Sequence, residues 1–178
     1  KMKDKLTNKQ RLIWLLPLAI ILTFINQCKA QDNISIGLYQ DARLLFLGDD
    51  RGNNPGTIDA KLDISLQGYQ LNNYYFELRT QLEYANLKGG DYGSIMVIPN
   101  WVFGNDLELS SGVILGFIHR WKQSFLTYGL NLDMSYYLFD KLKISILGQY
   151  IKRNDLNYLW NDKSFKPNFY IGIKYNLK

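Results

Sequence analysis

The chain has 178 residues, with 21 Lys and Arg against 16 Asp and Glu and a formal net charge of +5. The excess is confined to the first thirty residues, which hold six of the bases and one acid, so residues 31–178 carry fifteen of each and are neutral. That balance excludes an electrostatic case for nucleic acid, and a lone cysteine, Cys28, excludes a disulfide framework.

Lys1, Lys3, Lys5, Lys9 and Arg11 open the chain, and Leu12 to Ile25 follows as an uncharged, mostly apolar run broken by Pro17. Cys28-Lys29-Ala30 then ends on a small residue. This order describes a secretory signal peptide, residues 1–30. The apolar run is shorter than the roughly 20 residues that a transmembrane helix needs. Cleavage is expected after Ala30, giving a mature domain over residues 31–178. Lipoprotein processing at Cys28 and a retained anchor helix are the alternatives, the first disfavoured by Gln27 where a small residue is usual.

Strands then follow one another. Asn33 to Leu47 alternates, with Ile34, Ile36, Leu38, Ala42, Leu44 and Phe46 on one face and Ser35, Tyr39, Asp41 and Arg43 on the other. Gly48 to Thr57 is dense in turn formers and reads as a loop. Ile58 to Gln67 is the cleanest segment: Ile58, Ala60, Leu62, Ile64 and Leu66 oppose Asp59, Lys61, Asp63, Ser65 and Gln67. Strand side chains alternate with a period of two, whereas a helix would spread both sets round its circumference. Gly68 to Asn73 reads as a short connection.

Tyr74 to Leu87 forms the third strand, with Glu77, Arg79, Gln81 and Glu83 opposed to Tyr74, Phe76, Leu78, Leu82 and Tyr84. Ser94 to Phe103 is apolar on both faces and interrupted by Pro99, which is awkward inside a paired strand; Trp101 and Phe103 are placed on its greasy side. Leu107 to Trp121, Leu126 to Leu138, Leu142 to Lys152 and Phe169 to Leu177 complete eight strands. The last two are separated by the longest loop, Arg153 to Asn168. No amphipathic helix is expected in the mature part.

Alternation is common to soluble barrels and to membrane barrels, which are apolar outside. Four observations favour the second. Aromatics sit near strand ends on the apolar face, in two bands: Phe46, Tyr84, Trp121, Tyr128, Tyr150 and Phe169 at one end, Tyr74, Trp101, Phe103, Tyr136 and Tyr175 at the other. The polar face balances seven acids (Asp41, Asp59, Asp63, Glu77, Glu83, Glu108, Asp133) against seven bases (Arg43, Lys61, Arg79, Arg120, Lys143, Arg153, Lys174), as a narrow bore requires. The apolar face carries one formal charge, Lys152, at a loop edge. Small residues, Gly37, Ser65, Gly112, Gly116, Gly129, Ser135, Ser145 and Gly172, fall on the polar face, where a tight interior needs them. Finally, an exported all-β chain satisfies its backbone in lipid only as a closed barrel.

On these residues the chain resembles the small eight-stranded outer-membrane barrels of the OmpA transmembrane-domain and OmpX type. The most specific piece is the last strand, where Tyr170, Gly172, Tyr175 and Leu177 occupy the polar, glycine, apolar and terminal places of the signal read by the barrel-assembly machinery. Leu177 stands for the usual Phe, and Lys178 is extra. The resemblance implies an up-and-down barrel in a bacterial outer membrane, surrounded by lipid and lipopolysaccharide. It also implies both termini in the periplasm, loops outside the cell and a possible partner at those loops. The start at Gln31 and the Tyr/Asn/Lys/Ile-rich composition are reminiscent of exports from Bacteroidota.

No catalytic, cofactor or metal residue is assigned. His119 is the single histidine; lipid A deacylases of this barrel class use a His-x-Ser motif, but here His119-Arg120-Trp121 has no serine at that spacing, and parity turns His119 toward lipid. A palmitoyltransferase would need an apolar pocket inside the barrel, whereas this interior reads as charged. Asp49-Asp50-Arg51-Gly52-Asn53-Asn54 lacks Ca²⁺-loop spacing. Tyr158-Leu159-Trp160 reads equally as a partner patch or as a segment folded back on the rim. The expectation is a non-enzymatic structural or surface-interaction barrel plugged by paired charges. A lipid-A-modifying enzyme and a secreted soluble barrel holding a small apolar ligand are the alternatives.

Overall fold

The structure is a computed structural model that describes residues 34–49, 51–162 and 164–177. The expected signal peptide and its cleavage point lie outside the described residues. The strands are β1 (Ile34–Asp41), β2 (Asp59–Leu71), β3 (Tyr74–Ala85), β4 (Tyr92–Phe103), β5 (Leu107–Arg120), β6 (Gln123–Phe139), β7 (Leu142–Lys152) and β8 (Phe165–Asn176). Each pairs antiparallel with its sequence neighbours. β1 also pairs with β8, closing an up-and-down barrel. Gly37 shows the closure at one residue, opposite Asp63 on β2 and Lys174 on β8.

The greasy stripes face outward. Asp63, Arg79 and Lys174 are 1%, 0% and 5% exposed, while Leu62 and Leu132 are 39% and 64% exposed. A belt of exposed Leu, Ile and Val runs round every strand pair, far beyond the apolar patch that water tolerates on a monomer. Tyr84, Trp121, Tyr128 and Tyr150 stand exposed toward the loop end, and Tyr74, Trp101, Phe103, Tyr136 and Tyr175 toward the turn end. With every backbone ladder closed and hydrocarbon-like side chains outside, this is a transmembrane barrel. A soluble barrel with a greasy centre is the reverse of what the chain builds.

Several local expectations are corrected. The first strand stops at Asp41, whose carboxylate accepts the Leu44 N–H at 2.8 Å and caps a short helix, α1 (Ala42–Phe46). Arg43 therefore leaves the inner face for the surface, and Leu44 tucks under the loops. The longest loop contains a second helix, α2 (Asn154–Trp160), which buries Asp155 and Leu156. Among the described residues there are thus two short helices where none was expected. β2 runs on to Leu71, with a register shift between Gln67 and Gln70, and turns only at Asn72-Asn73.

The interior is not charged throughout. Ala85, Tyr92, Met96, Ile98, Ile114, Ile118 and Ile151 pack together as an apolar lobe. That lobe explains why β4 is apolar on both faces. Pro99 keeps its place because it faces outward and only interrupts the β4–β5 ladder: pairing runs to Val97↔Leu115 and resumes in the same register at Asn100↔Gly112.

Two glycines make room for one of the inner tyrosine rings. A Cβ on Gly172 would lie 2.6 Å from Tyr39 Cδ1, and one on Gly37 2.8 Å from Tyr39 Cε2. The Tyr39 ring therefore lies flat across both and fills the space that their missing side chains leave.

Candidate functional site

The period-two pattern sends polar side chains from all eight strands into one bore, and there they find each other in layers. Nearest the turn end, Glu108 accepts Lys143 Nζ at 2.6 Å and the Tyr137 hydroxyl at 3.3 Å. Above it, Arg79 donates from Nε and Nη2 to Glu77 Oε1 at 3.0 and 2.8 Å, and from Nη2 to Asp133 Oδ2 at 2.8 Å. Asp133 also takes Lys174 and Ser145. Arg79 Nη1 and Asp63 Oδ2 lie 3.4 Å apart and neither makes a hydrogen bond among the described residues, so they attract as charges without alignment.

A belt of amides crosses the middle. Gln81 donates to Asp63 at 2.7 Å, Gln149 to Gln81 at 3.0 Å and to Asn131 at 2.9 Å, and Asn131 to Asn100 at 3.2 Å. Lys61 enters this belt through Gln81 and Gln149 at 3.1 and 2.5 Å, with its ammonium 4.2 Å from the Tyr170 ring centroid. Glu83 then gathers Tyr92 and Ser94 at 2.7 Å and Tyr170 at 2.9 Å. These layers use most of the buried polar groups and close the middle of the cylinder, as eight strands allow.

Six of the seven expected inner bases are there, Arg43 being the exception, and all seven acids are buried. Sequence reading missed Asp155. It arrives on α2, is fully buried, and receives Arg153 through Nε and Nη2 at 2.9 and 2.8 Å. Burial alone would lower the Arg153 guanidinium, but the Tyr92 ring and the Asp155 carboxylate outweigh it and raise it above its usual value.

The loop end is roofed by aromatics. Trp160 meets Trp121 edge-on with centroids 6.1 Å apart, and Tyr158 lies 5.7 Å from Phe125. The Tyr158-Leu159-Trp160 segment therefore folds back on the rim. Trp121 and Lys122 form a two-residue hairpin turn with φ of 49° and 63°, unusual for a bulky residue. Gly90 accommodates it: its own φ is +97°, and a Cβ there would fall 1.9 Å from Trp121 Nε1.

In the β1–β2 loop the Asp49 carboxylate accepts the Arg51 and Asn53 N–H groups, both at 3.0 Å, and the Asn53 side chain at 2.8 Å. Partial burial pushes this carboxyl up, and those bonds more than offset it, holding it below the usual range. Its lone pairs close the loop on itself.

His119 is exposed on the outer surface, and its Nδ1 lies 3.1 Å from Ser124 Oγ. The serine absent from its own strand is thus supplied across the β5–β6 hairpin, where His119 pairs with Ser124. No carboxylate joins the pair among the described residues, and Ser110 and Ser111 lie further down β5 toward the turn end.

The sequence matches no family model and no curated protein. Among solved structures the chain is similar to Neisserial surface protein A at 10% identity, over 80% of this chain and 95% of that one, with a TM-score of 0.48. It is similar to the N-terminal β-barrel domain of Pseudomonas aeruginosa OprF at 11% identity, over 83% and 98%, with a TM-score of 0.48. The Yersinia pestis outer membrane protein Ail shares 17% identity over 83% and 100%, also with a TM-score of 0.48. Such likeness concerns the fold alone, carries no residue role, and lends no support to a Bacteroidota source. The barrel assignment rests on the closed strand order and the register.

Proposed function

We propose that the chain is an outer-membrane β-barrel protein with a structural or surface-interaction role and no catalytic activity. The observation that carries this reading is the inverted arrangement: an apolar belt outside, and a bore filled by the Arg79–Glu77–Asp133–Lys174 cluster and the amide belt. A filled bore supports a scaffold rather than a conduit, and stepwise current in planar bilayers would argue against it. Outer-membrane lipid and lipopolysaccharide are then its solvent, the barrel-assembly machinery its route of insertion, and the roofed loop end the surface for any outside partner.

Cell fractionation tests the location. Expected is enrichment in the outer membrane and a gel mobility that changes when the folded barrel is boiled. Recovery in the soluble periplasmic fraction would overturn it.

A second reading, lipid A modification, is favoured by one observation, the His119–Ser124 pair on the lipid-facing side. The missing acid counts against it. Mass spectrometry of lipid A separates the two: a change with the wild-type chain that His119→Ala abolishes would establish the enzyme, and an unchanged profile supports the scaffold.

A further inference from the structure

Beneath the loops lies a cavity of about 170 Å³, bordered by Arg120, Asp59, Trp160 and Asn168 among others. Most charges around it are already committed. Asp41 caps α1, and Asp49 closes its own loop. Asp162 takes Arg51 and Lys166, and Asp155 takes Arg153 with two aligned hydrogen bonds.

Arg120 is what remains. It is 2% exposed, and its guanidinium carbon lies 5.2 Å from the Tyr92 ring centroid and 5.3 Å from that of Trp160. Among the described residues the acid within 4 Å is the same Asp155, at 3.7 Å, beyond hydrogen-bonding reach. Two guanidinium groups thus share one carboxylate, and Arg120 is the one left without an aligned partner. Neither Nε nor Nη2 of Arg120 has an acceptor among the described residues, and Asn168 Nδ2 also lacks one. Buried N–H groups and buried unpaired charge both carry a cost that a bound anion removes.

The cavity also borders one acceptor of the opposite kind. Asp59 Oδ1 is buried and receives no hydrogen bond among the described residues. A site with unpaired N–H donors and an unpaired carboxylate oxygen fits an anion that itself bears an O–H. Phosphate keeps a proton at neutral pH and offers both, whereas sulfate offers acceptors alone. A guanidinium held between aromatic faces presents its N–H edge in one plane, the geometry that phosphate oxygens match.

We propose that this cavity binds a protonated phosphate group, with Arg120 and Asn168 donating to its oxygens and Asp59 accepting its hydroxyl. The phosphate can be free inorganic phosphate or the monoester headgroup of a lipid, since a phosphodiester keeps no O–H at neutral pH.

The test titrates inorganic phosphate, against chloride at constant ionic strength, into the folded full-length barrel in octyl glucoside micelles. Fluorescence of Trp160 and Trp121, which adjoin Arg120 or its neighbour, reads the binding. Expected is saturable binding, with sulfate about tenfold weaker and Arg120→Gln weaker by about tenfold or more, the loss of a charge-assisted hydrogen bond. Asp59→Asn should abolish the preference over sulfate, and Arg43→Gln should change nothing. Repeating the titration in nanodiscs containing phosphatidic acid, a phosphate monoester, separates the sources: binding retained there assigns free phosphate, and binding lost there assigns the lipid headgroup. Absence of saturable binding in micelles, equal affinity for sulfate, or an Arg120→Gln variant that binds like the wild type would overturn the proposal. Boiling-sensitive gel mobility in every sample shows that the barrel itself is folded, so a failed site does not count against the barrel. If Arg120→Gln does not fold, Asn168→Ala supplies the same comparison with one donor removed.

Discussion

Replacing Arg79 by Met should remove the centre of the inner network. The side chain is fully buried and makes three hydrogen bonds to two carboxylates, with a third carboxylate 3.4 Å away. After substitution Asp133 keeps Lys174, but Glu77 keeps only the Asn100 amide at 3.2 Å, and Asp63 only Gln81 at 2.7 Å. Amides hydrogen-bond a carboxylate without neutralising it, so the bore gains net negative charge with no water to screen it. Breaking a buried ion pair from one side costs about 3–5 kcal/mol, a factor of roughly 10² to 10⁴ in the folding constant at 1.4 kcal/mol per decade. Reversible urea unfolding in lipid vesicles, followed by tryptophan fluorescence, measures it. Arg79→Met combined with Glu77→Gln restores the charge balance and should regain at least half of the loss. A single variant within about 1 kcal/mol of wild type, or a double variant less stable than the single, would refute the idea that mutual neutralisation holds the bore closed.

Outside the barrel the sign of the argument reverses. Leu132→Arg, at one of the most exposed positions of the apolar belt, should destabilise the protein by about 2–4 kcal/mol in the same vesicle assay. Gly172→Ala places a Cβ 2.3 Å from the Leu38 carbonyl oxygen and 2.6 Å from the Tyr39 ring, so a loss of about 1–3 kcal/mol is expected in urea unfolding. Removing the Tyr39 ring should not rescue it, because the nearest atom is backbone. Acid should loosen the β1–β2 loop: the Asp49 carboxyl is lowered on folding, so its support is present above the ordinary value of 3.8 and is lost as pH falls below that, through the lowered folded value. Protection of the Asn53 amide, its exchange measured against the unstructured rate at the same pH, should fall only in that acid window, and a fall beginning near pH 6 would contradict the assignment.

Where one face was to be wet and the other greasy, the chain announced its fold. β2 is the clearest case: Lys61 and Asp63 turn inward, Leu62 and Ile64 outward, as their alternation dictates. The inner acids were legible for the same reason, since a carboxylate on an otherwise apolar strand has no place in lipid. The break after Asp41 was not. Ala42, Leu44 and Phe46 continue the period of two, and over five residues that pattern also suits a helix; the cap signal, Asp41 before Ala-Arg-Leu, was the only clue. β4 was hard to read because Met96 and Ile98 face an apolar part of the interior, so neither face is polar. Asp155 escaped notice because a loop helix, not a strand, delivers it. The His119–Ser124 pairing depends on hairpin register, which a two-residue turn of Trp and Lys hardly advertises.

The most direct measurement places nitroxide labels at Leu132→Cys and Gln81→Cys, each in a Cys28→Ser background, in the barrel reconstituted in vesicles. Collisions with oxygen, which concentrates in hydrocarbon, and with a water-soluble nickel chelate are then compared by electron paramagnetic resonance. The inverted barrel requires strong oxygen and weak nickel access at Leu132, with little access of either at Gln81. Nickel access at Gln81, with an immobile and oxygen-shielded label at Leu132, would mean that the leucine stripe lies inside and the charges outside.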